Sequence, residues 1–149
     1  PKIVMNDDDE NKIEEKYAPL YKNSKNIKIV QEAMFSSTNE VRGTSYKSRI
    51  NDPKYQFAGK TGTAQVKRIT KQDRLLDLKT FEIPYEERDH ALYVAFGPYR
   101  NPRYAVSILV EHGGSGSSVA APLAKKIFKK IIDRHEIRKN FNNKRYLDI

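Results

Sequence analysis

Cysteine is absent from the 149 residues, so disulfide scaffolds, zinc ribbons, thiol redox chemistry and cysteine nucleophiles are all excluded. The absence selects no compartment, because a cysteine-free chain suits reducing and oxidising surroundings alike. Long apolar runs are missing as well. The stretches 91–97 and 108–110 fall far short of the ~20 residues that cross a bilayer. No basic-then-apolar leader opens the chain, which starts at Pro1 rather than Met; the expectation is a mature piece or one cut from a longer protein. Hydrophobic residues are scarce too, at 38% against the ~45–50% usual for soluble domains. The length suits one domain, with a thin core.

Charge is abundant, at 32% of residues and a net of +9, and it is unevenly placed. Residues 1–16 hold Lys2, Lys12 and Lys16 against Asp7, Asp8, Asp9, Glu10, Glu14 and Glu15. Residues 125–149 hold nine Lys/Arg against Asp133, Glu136 and Asp148. Such a basic segment can meet nucleic acid, anionic lipid or only water. A solvated face is the commonest of these outcomes.

The pattern divides the chain into a charged arm over 1–26, a folded part over 27–132 and a basic tail over 133–149. Ile27, Val30, Ala33 and Met34 recur at helical spacing and predict an amphipathic helix to about Thr38,. Gly43 and Asn51-Asp52-Pro53 break the chain,. Tyr55–Val66 reads as a strand with close backbone contacts, and 67–89 as a long charged loop. His90–Tyr99 and Arg103–Glu111 alternate with period 2 around Pro98 and Pro102, which predicts a β-hairpin. A final helix is expected with Ser118 as N-cap and Pro122 in its first turn. Its apolar stripe would be Ala120, Leu123, Ala124, Ile127 and Ile131, leaving Lys125, Lys126, Lys129 and Lys130 in water,. The fold class is α+β: an antiparallel sheet of three or more strands covered by helices.

Phe57-Ala-Gly-Lys60-Thr61-Gly62-Thr63-Ala-Gln-Val66 is the densest chemical signal. A phosphate-binding loop would need glycine five residues before Gly59, and that position is Lys54,. The alternative is the Lys-Thr-Gly motif of active-site serine acyl-transferases. On a strand, Thr61 and Thr63 point the same way and can offer two hydroxyls to a substrate carboxylate. Lys60 supplies a positive charge for that carboxylate and assists proton movement. Gly62 lets substrate lie against the strand edge, and the Thr63 N–H can help hold an oxyanion. A surface strand with Thr and Gly by chance is the bland reading of the triplet alone.

The surroundings extend the signal. With Arg88-Asp-His-Ala-Leu-Tyr-Val-Ala-Phe-Gly-Pro-Tyr99 and Tyr104-Ala-Val-Ser-Ile-Leu-Val-Glu-His-Gly-Gly-Ser-Gly-Ser-Ser118 through Phe128, the chain resembles the class B penicillin-binding proteins, nearest to the penicillin-binding protein 2 type. Ala33-Met34 through Asn39, Gly43 and Thr44 look like that family's helix and turn before the motif. The resemblance covers roughly 30–130 and implies the C-terminal part of a serine-type D,D-transpeptidase domain over 27–132. It implies a catalytic role for Lys60 and substrate binding by Thr61, Gly62 and Thr63. It also implies peptidoglycan stem peptides and β-lactams as ligands of the intact enzyme, and no metal or organic cofactor. The implied location of the parent protein is the periplasmic face of the inner membrane, with an anchor upstream.

One departure is chemical. The family's nucleophile sits in Ser-x-x-Lys, and none of Ser24, Ser36, Ser37, Ser45, Ser48, Ser107, Ser115, Ser117 and Ser118 has Lys three residues on. Thr44-x-x-Lys47 has the spacing with the wrong nucleophile. Ser37-Thr-Asn39 fits the family's Ser-x-Asn in form but lies too near Lys60 to be it. The chain alone is therefore expected to be inactive, to need the rest of the domain as partner, and to self-associate through exposed sheet edges. His90, His112 and His135 are scattered without metal spacing,. Gly113–Ser118 reads as a turn rather than an anion cradle, and the tyrosines as packing rather than base-stacking. Two rival readings are a basic nucleic-acid-binding module and a non-catalytic interaction domain; nucleic acid is not the expected partner.

Overall fold

The computed structural model describes residues 21–68, 70–76 and 78–145. Helix α1 spans Ser24–Asn39; Asn23 caps it by accepting a hydrogen bond from the Lys25 N–H at 2.9 Å. Asn is a favoured cap because its side-chain oxygen satisfies an amide that the helix leaves unpaired. The helix therefore begins inside the expected 1–26 arm, whose first 20 residues lie outside the described residues. The predicted stripe is buried only in part. Ile27 and Val30 are 37% and 54% exposed, whereas Thr38 in the last turn is fully buried.

Strand β1 (Ala58–Ala64) pairs antiparallel with β2 (His90–Gly97), which pairs with β3 (Tyr104–Val110), giving the order β1-β2-β3. The sheet and its covering helices match the expected α+β class. Register explains the alternation in the sequence. Ala91, Tyr93 and Ala95 stand opposite Val110, Ile108 and Val106 on the closed face. Leu92, Val94 and Phe96 stand opposite Leu109, Ser107 and Ala105 on the other. On that second face Val94 and Leu109 are 46% and 56% exposed. It is open among the described residues, and Lys60, opposite Val94, belongs to it.

The loop 67–89 is less irregular than expected. It contains a short helix, α2 (Lys71–Leu76), and a 3-10 turn at Tyr85–Glu87. The last helix also departs from the reading. A π-helical turn, Gly116–Ala120, runs directly into α3 (Ala121–Arg145), so Ser118 lies inside the turn and is not the cap. Ser115 precedes the turn in extended conformation and makes no side-chain cap bond. The cause is close packing: a Cβ at position 116 would lie 2.5 Å from Leu92 O and 2.6 Å from Gly62 O. Only glycine lets the chain cross the sheet backbone so closely.

The buried stripe of α3 is rotated from the predicted one. Ala121, Ala124, Phe128 and Ile132 are buried, while Leu123 and Ile127 are 39% and 37% exposed. Phe128 stacks on Phe57 at 5.0 Å between ring centroids, and Phe57 meets Tyr93 edge-on at 6.4 Å. These three aromatic rings form the centre of a core otherwise made largely of alanine. No break occurs at the expected boundary between 132 and 133, since α3 continues to Arg145. Asp133 accepts a hydrogen bond from the Tyr55 hydroxyl and faces Lys54 at 3.7 Å. Glu136 faces Arg103 at 3.6 Å. Two acids of the supposed basic tail thus tether α3 to the loops beside the sheet.

Candidate active site

Lys60, Thr61, Gly62 and Thr63 lie in the middle and second half of β1, on the outer strand of the sheet. Alternation puts Thr61 and Thr63 on one face, opposite Tyr93 and Ala91,. Lys60 starts on the other face but bends round the strand edge. Its Nζ donates to Thr61 O at 2.8 Å and lies 3.4 Å from Thr61 Oγ1. The ammonium therefore meets Thr61 along the strand edge, with Thr63 on the same face of the strand as Thr61.

The strand is held by a buried hydroxyl cluster. Thr38 Oγ1 accepts from the Gly59 N–H at 3.0 Å and lies 3.3 Å from Gly59 O. Both outward-facing backbone groups of Gly59 are thus matched by one side chain of α1. The Tyr93 hydroxyl lies 2.9 Å from Thr38 Oγ1 and 3.0 Å from Ser45 Oγ. Ser45 Oγ also donates to Ser37 O at 3.0 Å. Thr38, Ser45 and Tyr93 are all buried, and buried hydroxyls are stable only when partnered, as these are. Burial pushes the Tyr93 phenol above its usual range, with the hydrogen bonds to Ser45 and Thr38 pulling the other way,. Lys60, one residue beyond Gly59, is carried on this clamp.

Residues set aside in the sequence reappear here. Thr44 Oγ1 is 3.3 Å from Thr61 Oγ1, and Ser37 Oγ is 3.2 Å from Thr44 Oγ1. The signal that could have found them is the turn glycine: a Cβ at Gly43 would lie 2.3 Å from Ser37 O. That contact folds the following Thr44 back on α1. The Asn39 amide is committed elsewhere, donating to Phe35 O at 3.0 Å and Phe57 O at 2.9 Å.

The histidines are less scattered than their spacing suggests. His90 and His112 meet at 4.8 Å between rings, and the His112 N–H donates to His90 Nδ1 at 2.9 Å. They tie the start of β2 to the end of β3. His135 instead meets the Tyr104 ring at 6.0 Å. Among the described residues no three His, Asp or Glu side chains gather as a metal site.

Residues 1–129 match the family model described as "Penicillin binding protein transpeptidase domain". The chain belongs to this family. It is 39% identical over 105 residues to the peptidoglycan D,D-transpeptidase MrdA of Salmonella typhimurium, covering 70% of this chain and 16% of that protein. It is 44% identical over 79 residues to the MrdA of Acinetobacter baumannii, covering 53% of this chain and 11% of that protein. Among solved structures, Pseudomonas aeruginosa PBP2 in complex with WCK 5153 superposes with a TM-score of 0.58 at 34% identity. That match covers 76% of this chain and 21% of the other. The Helicobacter pylori PBP2–MreC complex gives 0.57 at 35% identity, covering 74% and 18%. The transpeptidase-domain chain thus spans about a sixth of the length of the Salmonella relative.

Proposed function

We propose that this chain forms the Lys-Thr-Gly wall of a peptidoglycan D,D-transpeptidase of the penicillin-binding protein 2 type. The observation that carries the reading is the contact of the Lys60 ammonium with Thr61 on the outer strand β1, with Thr63 on the same face of that strand as Thr61. Thr61 and Thr63 would hold the terminal carboxylate of a stem peptide, and Lys60 would organise the proton network. The Thr63 N–H would stabilise the oxyanion. A serine supplied from outside this sequence would attack the penultimate D-Ala carbonyl, terminal D-Ala would leave, and an amine of a neighbouring strand would take the acyl group. β-Lactams would acylate the same serine. No metal or organic cofactor enters the scheme.

The open face of Val94, Leu109 and Lys60 is where the rest of the transpeptidase domain would seat, bringing the serine to Lys60. No described helix is long and apolar enough to cross a membrane, so anchoring at the periplasmic face of the inner membrane would come from elsewhere in the parent protein. The nucleic-acid reading has no support, since the family match and the relatives are transpeptidases.

Fluorescent penicillin tests the scheme. The chain alone takes up no label stable to denaturing electrophoresis. Fused behind the preceding part of the transpeptidase domain of the Salmonella relative, it supports labelling that Lys60→Ala abolishes. Labelling of the chain alone, or labelling of the fusion indifferent to Lys60→Ala, overturns the proposal.

A further inference from the structure

Thr61 Oγ1 has two lone pairs and one proton. The Lys60 ammonium can only donate, and it reaches this oxygen at 3.4 Å. Thr44 Oγ1 stands at 3.3 Å from it, with Ser37 Oγ 3.2 Å behind. If Thr44 donates, both lone pairs of Thr61 are engaged and its single proton must turn outward, toward whatever lies along the strand edge. Such a proton is a fixed donor, suited to an anion. Reversing the row, so that Thr61 donates to Thr44 and Thr44 to Ser37, would leave no outward proton and would favour a ligand that itself donates. The ammonium beside Thr61 selects between the two, because it attracts an anion and repels a cationic donor.

The row is also held in place. Gly43 N–H donates to Glu40 O at 2.8 Å and Ser45 N–H to Ser37 O at 3.0 Å, pinning both neighbours of Thr44. The Ser45 side chain is locked in the buried cluster with Tyr93. Thr44 itself remains exposed, so its hydroxyl is aligned by backbone geometry without being sealed off. Rows of hydroxyls donating in one direction polarise each other, and the last proton becomes the best donor.

We propose that Thr44 is a positioning residue for substrate: it directs the Thr61 proton outward and so selects a carboxylate at the strand edge, with Ser37 as the next member of the row. This rests on the transpeptidase reading of Lys60 and Thr61. The probe is N-acetyl-D-alanyl-D-alanine and its C-terminal amide, titrated into the isotope-labelled full chain and followed at the Gly62 and Thr63 amide resonances. The acid is expected to give saturating shifts and the amide none. Thr44→Val should weaken the acid by about fivefold, the effect of one hydrogen bond, and Thr44→Ser should restore it, with spectra as dispersed as those of the parent chain. Unchanged acid affinity in Thr44→Val overturns the proposal, as does equal weakening in Thr44→Ser. Thr61→Val separates the two ideas. If Thr61→Val weakens the acid while Thr44→Val does not, only the role of Thr44 fails. If the acid does not bind, or binds Thr61→Val as well as the parent, the reading of the strand as a carboxylate site fails with it.

Discussion

The Tyr93 hydroxyl lies 2.9 Å from Thr38 Oγ1, joining the middle of β2 to the last turn of α1 across the residue that precedes Lys60. Removing that hydroxyl leaves Thr38 its contacts with Gly59, so the loss is modest. Tyr93→Phe is expected to destabilise the chain by about 1 kcal/mol. Urea unfolding at neutral pH measures it, and an unchanged midpoint would show the bond to be idle.

The same hydroxyl gives stability a dependence on alkaline pH. Burial holds its folded pKa above the ordinary value of 10.0. Above that value the unfolded chain releases the proton first, so the native state binds more protons and stability falls as pH rises. Below it the contribution is fully present. The stability difference between the parent chain and Tyr93→Phe should therefore be constant from neutral pH to about pH 9 and shrink above about pH 10. A difference that stays flat into the alkaline range refutes the assignment.

Two glycines of the motif strand should respond differently to alanine. A Cβ at Gly59 would lie 2.4 Å from the Tyr93 hydroxyl oxygen and 2.5 Å from its Cζ, whereas one at Gly62 would meet only Leu92 Cβ at 3.3 Å. Gly59→Ala is expected to cost about 2–3 kcal/mol and Gly62→Ala under about 1 kcal/mol. Thermal melting of the two variants side by side checks the order.

The aromatic centre of the core sets a third contrast. Phe128 is fully buried and stacked on Phe57, so Phe128→Ala should cost about 3–5 kcal/mol. Ile127, its neighbour on the exposed side of α3, should cost under about 1 kcal/mol as alanine. Similar losses at both positions would mean that α3 packs in the rotation first read from the sequence.

The open sheet face predicts association. Val94 and Leu109 lie exposed on it, and apolar surface of this kind drives chains together. The parent chain should show a concentration-dependent mass by light scattering. The double variant Val94→Lys, Leu109→Lys should lose the association that this face drives, with its melting temperature little changed. A monomeric parent chain at high concentration counts against this.

The hairpin is legible in the sequence because each strand has one closed and one open face, and period-2 patterning reports that directly. Helix α3 is legible as a helix, but its rotation is not. Ala120 and Ala124 fit two overlapping stripes, and the choice falls to Phe128, which fills space left by the missing side chain of Gly97. A Cβ there would lie 3.1 Å from Phe128 Cε1. That is a tertiary fact which no helical period carries. The Lys-Thr-Gly strand is legible from its motif. Its supports are not, since Thr44 reaches Thr61 across 17 residues and Thr38 reaches Gly59 across 21. Thr38 does fall four residues after Met34, in phase with the α1 stripe, a position where a lone hydroxyl signals a buried polar bond.

The hold of Thr38 on Gly59 also makes the two borders of the sheet unequal. By occupying the outward N–H and C=O of Gly59, it leaves β1 too short a run of free groups to template another strand. Strand β3 keeps its outer border free from Tyr104 to Val110 among the described residues. A sheet with one usable border pairs with a second copy about a two-fold axis and then stops, since open-ended growth needs two complementary surfaces. Association through sheet borders should accordingly end at a dimer rather than run on into fibres.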